Sequence, residues 1–248
     1  MALDKEIKEQ LAQYLALLES EVVFQASLAS DDNSIKVKEF LEEIVAMSPM
    51  ISLEELSLSR TPSFKIAKKG QTSGVEFAGL PLGHEFTSFI LALLQVSGRA
   101  PKVDDTVIQQ IKAIDQPLSF ETYVSLTCHN CPDVVQALNI MAVVNPLISH
   151  VMIEGGMFQE DVEAKKIMAV PTVLLDGEEF ASGRLTSEQL LEMITGPASA
   201  DEFKDKGVFD VLVVGGGPAG NSAAIYAARK GIKTGMVVDT YGGQVMDT

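Results

Sequence analysis

The chain has 248 residues, with 34 Asp or Glu against 19 Lys or Arg, which gives a formal charge of −15 at pH 7. That excess argues against nucleic acid and anionic membrane as partners, while the length suffices for two or more domains with buried cores. Acidic residues are scattered among apolar periodic segments, so disorder is not implied. Residues 1–7 have no apolar core behind a basic head, which argues against a secretory signal. No apolar run approaches the roughly 18 residues of a membrane span.

Ile7, Leu11, Tyr14, Leu15 and Leu18 form an apolar stripe that predicts a helix over 4–19. Val22, Phe24, Ala26 and Leu28 then alternate as a strand. Ser34 is the expected cap of a second helix, whose buried face is Ile35, Val37, Phe40, Leu41, Ile44 and Val45. A strand near 50–56 follows. Residues 61–66 and 75–78 read as a hairpin around a Lys69-Gly70 turn, and a helix from about Glu85 closes this half at Gly98.

The order then repeats. Val107, Ile108, Ile111 and Ile114 predict a helix, and residues 118–126 largely alternate as a half-buried strand. That strand leads into Thr127-Cys128-His129-Asn130-Cys131-Pro132, which holds the only two cysteines of the chain. Val134, Val135, Leu138, Met141, Ala142 and Val144 place a long helix after it. A strand over 150–153, a short helix over 159–168, and a hairpin from Val170-Pro171 through Asp176-Gly177 to Phe180 follow. Thr186-Ser187-Glu188-Gln189 predicts a capping box for a last helix that stops at Gly196-Pro197.

A Cys-x-x-Cys at a strand-to-helix junction has three readings. Half a zinc site needs two more ligands, and beyond His129 in the pair's own loop only His84 and His150 are available. Two inert thiols are the second. A redox dithiol is the one favoured by Cys-x-x-Cys spacing beside a β/α pattern. There a helix N-terminus would lower the first thiol's pKa from about 8.5 towards about 7. Cys128 is then the candidate attacking sulfur and Cys131, one turn on, the resolving one. A lone dithiol that cycles also points to a reducing cytoplasm.

Pro62 and Pro171 introduce matching strand-turn-strand-helix modules, which indicates an internal duplication of one α/β unit. The first copy has Ser30-Asp31-Asp32-Asn33 where the second has Cys128-His129-Asn130-Cys131, so it cannot exchange disulfides by itself.

Residues 197–207 are polar and aperiodic, as a linker is. A buried-type strand over 209–214 then feeds Gly215-Gly216-Gly217-Pro218-Ala219-Gly220 and a helix carrying Ala223, Ala224, Ala227 and Ala228. In that context Gly-x-Gly-x-x-Gly reads as a dinucleotide turn. Gly215 would permit the tight turn, Gly217 the approach of a pyrophosphate and Gly220 close helix packing, with Asp239 holding a ribose hydroxyl. One strand-helix-strand unit leaves a parallel sheet incomplete, so this part is expected to be a truncated cofactor domain that holds no cofactor well.

On these residues the chain resembles the F component of alkyl hydroperoxide reductase, over its whole length. The resemblance is carried by residues 79–88 in the first half and 127–133 and 169–172 in the second. Val214 to Gly220 and Gly242-Gly243-Gln244 extend it into the start of the flavoprotein. It implies an α/β architecture of two tandem thioredoxin-like folds, a linker and a truncated Rossmann-type βαβ unit. The expected bounds are 1–99 for a redox-inactive fold, 100–196 for the fold with the dithiol, 197–207 for the linker and 208–248 for the start of an FAD-binding domain.

The resemblance further implies that, in the full-length family, NADH reduces FAD. FAD reduces a flavoprotein dithiol, that dithiol reduces Cys128–Cys131, and Cys128 attacks the disulfide of a peroxiredoxin. Pro171 matches the family's cis-proline and Glu85 a glutamate serving the dithiol, while Gln244 falls in the flavin-side motif. Thioredoxins carry a buried acid six residues before the first cysteine, where this chain has Thr122. Two readings of Glu85 stand: it tunes the thiols or takes the proton of Cys131, or it is a helix N-terminal acid that favours the dipole. For the chain as a whole two other readings compete: a complete flavoenzyme, which the length disfavours, and a non-catalytic docking module. The family works as a homodimer through its flavoprotein part, so a monomer is expected here.

Overall fold

The computed structural model describes residues 5–196, 207–238 and 242. These fall into two compact units, one up to Gly196 and one from 197 onward.

In the first unit, helix α1 (Lys5–Leu15) precedes strand β1 (Val22–Ser27), helix α2 (Asp32–Val45), strands β2 (Ile51–Glu55), β3 (Ser63–Lys68) and β4 (Val75–Ala78), and helix α3 (Phe86–Ser97). The second copy runs α4 (Asp105–Ala113), β5 (Leu118–Val124), α5 (Cys131–Val144), β6 (Ile148–Glu154), α6 (Gln159–Ala164), β7 (Thr172–Leu175), β8 (Glu178–Ser182) and α7 (Ser187–Thr195). Strand order β2-β1-β3-β4 is repeated as β6-β5-β7-β8. The orientations repeat too: β1 is parallel to β2 and antiparallel to β3, as β5 is to β6 and β7. These are two tandem thioredoxin-like folds. They share one eight-stranded sheet, because β4 pairs in parallel with β6 at Val75–His150 through Ala78–Ile153.

The core follows from the sequence pattern. Phe24, Phe40, Phe64, Phe77 and Phe89 pack with ring centroids 5.4–6.1 Å apart. Each such ring contributes about 1.5–3 kcal/mol by leaving water. Helix α3 (FTSFILALLQVS) is apolar on most of its circumference because it packs against the sheet, α1 and α5. Through that α3–α5 contact the first fold braces the helix that opens with the second cysteine.

A polar tie joins the folds on the other face of the sheet. Arg60, 13% exposed, reaches Glu121 at 3.1 Å and Asp161 at 2.9 Å, and the Tyr123 hydroxyl donates to Asp161 at 3.0 Å.

Several local expectations change. Asp31, not Ser34, caps α2: its carboxylate accepts from the Asn33 and Ser34 amides, and Ser34 lies inside the helix with its hydroxyl donating to Asp31. An N-cap must precede the first turn to reach its free amides, which Asp31 does. The expected 159–168 helix ends at Ala164, because the chain turns at Lys166 with φ 55° to reach Pro171. The capping box at Thr186–Gln189 forms in both directions.

The other unit is a partial Rossmann-type element. Strands β9 (Val211–Val214) and β10 (Thr234–Val237) pair in parallel and flank helix α8 (Pro218–Arg229). No helix among the described residues is long and apolar enough to cross a membrane.

Candidate active site

Cys128 and Cys131 form a disulfide, with Cα atoms 5.5 Å apart. The motif lies at the strand-to-helix junction: α5 starts at Cys131, and Cys128 sits in the turn ahead of it. This placement matters chemically, since the Cys131 amide at the start of the helix points at the Cys128 sulfur, 3.1 Å away. A thiolate at Cys128 would accept that hydrogen bond at the positive end of the helix. The two sulfurs are unequal in access. Cys128 is partly exposed, whereas Cys131 is fully buried.

Val170–Pro171 is a cis peptide, and the Val170 carbonyl oxygen lies 3.8 Å from Cys128 Sγ. Thr61–Pro62, its counterpart in the first fold, is also cis. The second cis bond is not among the sequence expectations, although the Pro62/Pro171 correspondence carries the signal.

The first fold delivers a turn to this site. Gly83–Glu85 form a single 3-10 turn that contacts α5, and the His84 amide donates to the Leu126 carbonyl at 3.1 Å. Gly83 has φ +56°, and a Cβ there would collide with the Leu126 oxygen. Both facts demand glycine. Gly83→Ala is expected to cost about 2–3 kcal/mol of stability, to be read as a lower urea midpoint at unchanged slope.

Glu85 follows in that turn. It is fully buried, and neither carboxylate oxygen has a hydrogen-bond partner. Burial raises its pKa to about 7, partly offset by the nearby Ser88 hydroxyl. The Ser88 hydroxyl in turn is 3.3 Å from Gln136 Nε2 on α5.

On β5, six residues before Cys128, Thr122 is buried at the position where thioredoxins carry an acid. Its hydroxyl pairs with His150 Nε2 at 2.8 Å, and His150 Nδ1 pairs with Asn139 Oδ1 at 2.8 Å. His150 is completely buried, which pushes its pKa down to about 3 and keeps the ring neutral. This triad offers no carboxylate, whereas the turn that contacts α5 carries the buried Glu85. In the sequence His150 stands out only as a possible metal ligand, and its pairing across β5, β6 and α5 is not legible without the fold.

The glycine turn lies in the other unit. Gly215 has φ +115°, and a Cβ on Gly220 would collide with the Gly215 carbonyl oxygen. Gly217 caps α8 with no side-chain hydrogen bond and open space beside it. Asp239 and Gln244 lie outside the described residues.

The chain is similar in sequence and fold to known proteins. Residues 119–195 match the thioredoxin domain family and residues 210–246 match glucose inhibited division protein A. The chain is 58% identical over all 248 residues to a Bacillus subtilis protein described as NADH dehydrogenase. It is 56% identical over 246 residues to the F component of alkyl hydroperoxide reductase from Staphylococcus aureus. It covers 49% and 48% of these two proteins, and so spans about half their length. Among solved structures, the NTD_N/C domain of alkylhydroperoxide reductase AhpF from Enterococcus faecalis superimposes with a TM-score of 0.72 at 31% identity. That match covers 77% of this chain and 99% of the other. A protein disulfide oxidoreductase from Aeropyrum pernix K1 matches with a TM-score of 0.68 at 18% identity, over 77% of this chain and 92% of that one. The last is a likeness of fold alone.

Proposed function

The chain belongs to the AhpF family of alkyl hydroperoxide reductase components, and from that membership we propose that it passes electrons from a flavoprotein dithiol to a peroxiredoxin. It is a thiol-disulfide oxidoreductase, and Cys128 and Cys131 are its working pair in this reading. The observation that carries the reading is their asymmetry: an accessible Cys128 sulfur beneath a free amide, and a buried Cys131 behind it.

In the reduced pair, the Cys128 thiolate attacks one sulfur of the partner's disulfide. The partner's S–S bond breaks, a Cys128–partner bond forms, and the other partner sulfur leaves as thiolate. Cys131 then loses its proton and attacks Cys128 Sγ, which closes the internal disulfide and releases the second partner thiolate. Two electrons have moved to the partner. Glu85 is the proposed acceptor of the Cys131 proton, because its buried carboxyl titrates near neutrality and its oxygens are free of hydrogen bonds. Pro171 follows the Val170 carbonyl that lies beside Cys128, where an arriving chain can pair with it.

In this reading residues 1–99 support the site, 100–196 carry it, 197–207 link, and 208–248 begin the FAD-binding domain. The described part of that last segment fits a dinucleotide: Gly215 makes the tight turn, Gly220 brings the helix against it, and Gly217 leaves its N-terminus open to a pyrophosphate. When bound in the full-length family, FAD supplies two-electron transfer between NADH and thiols. Asp239 and Gln244 are proposed ribose and flavin-side contacts. A cytoplasmic setting follows from a dithiol that must be re-reduced to work.

The deciding experiment is one turnover. The chain is reduced, freed of reductant and mixed with the disulfide form of a bacterial peroxiredoxin. About one partner disulfide should be reduced per chain, and none by Cys128→Ser. Absence of transfer from the fully reduced chain, or undiminished transfer by Cys128→Ser, would overturn the assignment.

A further inference from the structure

The loop between the two cysteines is held from outside its own fold. His129, directly after Cys128, is exposed, and its ring makes no hydrogen bond among the described residues. Its ring contact is with His84 of the first fold, at a centroid distance of 4.1 Å and an interplanar angle of 54°. His84 is itself placed by two backbone constraints. The preceding Gly83 lies against the Leu126 carbonyl with no room for a side chain, and the His84 amide donates to that same carbonyl. Leu126 is two residues before Cys128, whose amide donates to the Ser125 carbonyl at 2.9 Å. One turn of the redox-inactive fold therefore grips the dithiol loop both before Cys128, through its backbone, and after it, through the imidazole pair.

We propose that His84 is a positioning residue for the dithiol: its imidazole holds that of His129 against the first fold and so keeps the Cys128 sulfur open to attack. An exposed side chain at His129 would otherwise sample several rotamers, some of which lie across its neighbouring sulfur. Packing on His84 selects the one that leaves Cys128 clear. The redox-inactive fold then contributes to reactivity as well as to stability, and neither copy alone has the complete site. The inference rests on Cys128 being the attacking thiol.

The test uses the 248-residue chain and reagents that need no protein partner. Reduced wild type, His84→Ala, His84→Phe, His129→Ala and the His84/His129 double alanine variant are alkylated with iodoacetamide, with the modified cysteine located by mass spectrometry. In parallel, their exchange with a small aromatic disulfide is followed over pH. His84→Ala should slow alkylation of Cys128 by roughly two- to tenfold, the range set by loss of one aromatic pair. His84→Phe, which keeps a ring but cannot titrate, should restore both the rate and the wild-type pH profile. Once His129 is alanine, removing His84 should have no further effect. The proposal is overturned by an unchanged rate in His84→Ala, by failure of His84→Phe to restore it, or by additive effects in the double variant. If wild-type Cys128 is no more reactive than Cys131, it is the assignment of the attacking thiol that fails. Should His84→Ala not fold, His84→Phe must still match wild type, and so must His129→Ala, which has no ring to lie across the sulfur; a slowed rate in either overturns the proposal.

Discussion

Cys131→Ser is expected to halt exchange at the mixed disulfide, leaving this chain and its partner covalently joined through Cys128. The first step needs only the Cys128 thiolate and the Cys131 backbone amide that points at it, and serine keeps that amide. The second step needs the Cys131 sulfur, and no other cysteine exists to replace it. Turnover should fall by at least about 10³-fold, as it does when a nucleophile is removed, while a stoichiometric adduct accumulates on a non-reducing gel. Cys128→Ser should give no adduct at all, because the remaining sulfur is fully buried behind the turn. The pair of variants separates two roles that a loss of activity alone would not. An adduct through Cys131 in Cys128→Ser, or none in Cys131→Ser, would reverse the assignment.

Most of the fold is legible in the sequence because its signals are local. Helix α5 and strand β5 show their periods plainly, the capping box at Thr186 forms as written, and the duplication at Pro62 and Pro171 reappears as a repeated strand order. What the sequence does not show is how the copies meet. The parallel pairing of β4 with β6, the Arg60 tie and the contact of His84 with His129 all join residues at least 45 positions apart, with no periodic signal between them. The site divides in the same way. Cys128 and Cys131 declare themselves as candidates by motif, and Pro171 and Glu85 by resemblance. Thr122 appears only as a missing acid, whereas in the fold it is one member of a buried triad with His150 and Asn139. The Ser34 assignment fails because Asp31, Asn33 and Ser34 are all good caps, and only the geometry selects among them.

That buried triad and Glu85 make opposite demands on pH, and Glu85→Gln is expected to expose the conflict. Glu85 ionises near its ordinary value of 4.5 in the unfolded chain but at about 7 in the fold. Between those values the native state holds a proton that the unfolded state has released, so stability is full below pH 4.5 and falls as pH rises to 7. His150 titrates near 6.5 when unfolded and near 3 in the fold. There the unfolded state binds the extra proton, so stability is full above pH 6.5 and is lost as pH falls towards 3. Each group contributes a slope of about 1.4 kcal/mol per pH unit, of opposite sign, and the slopes cancel between pH 4.5 and 6.5. Urea unfolding should therefore find Glu85→Gln gaining on wild type by up to about 3 kcal/mol from pH 4.5 to 7, whatever fixed cost the buried amide brings. His150→Gln should diverge in the other direction, losing least at acid pH. The same substitution at Glu85 should slow closure of the Cys128–Cys131 disulfide by on the order of 10²-fold, because a carboxyl that resists ionisation in the fold is one that readily takes a proton from Cys131. A pH-independent difference between Glu85→Gln and wild type would remove both expectations together, since they rest on the same buried, unpartnered carboxyl.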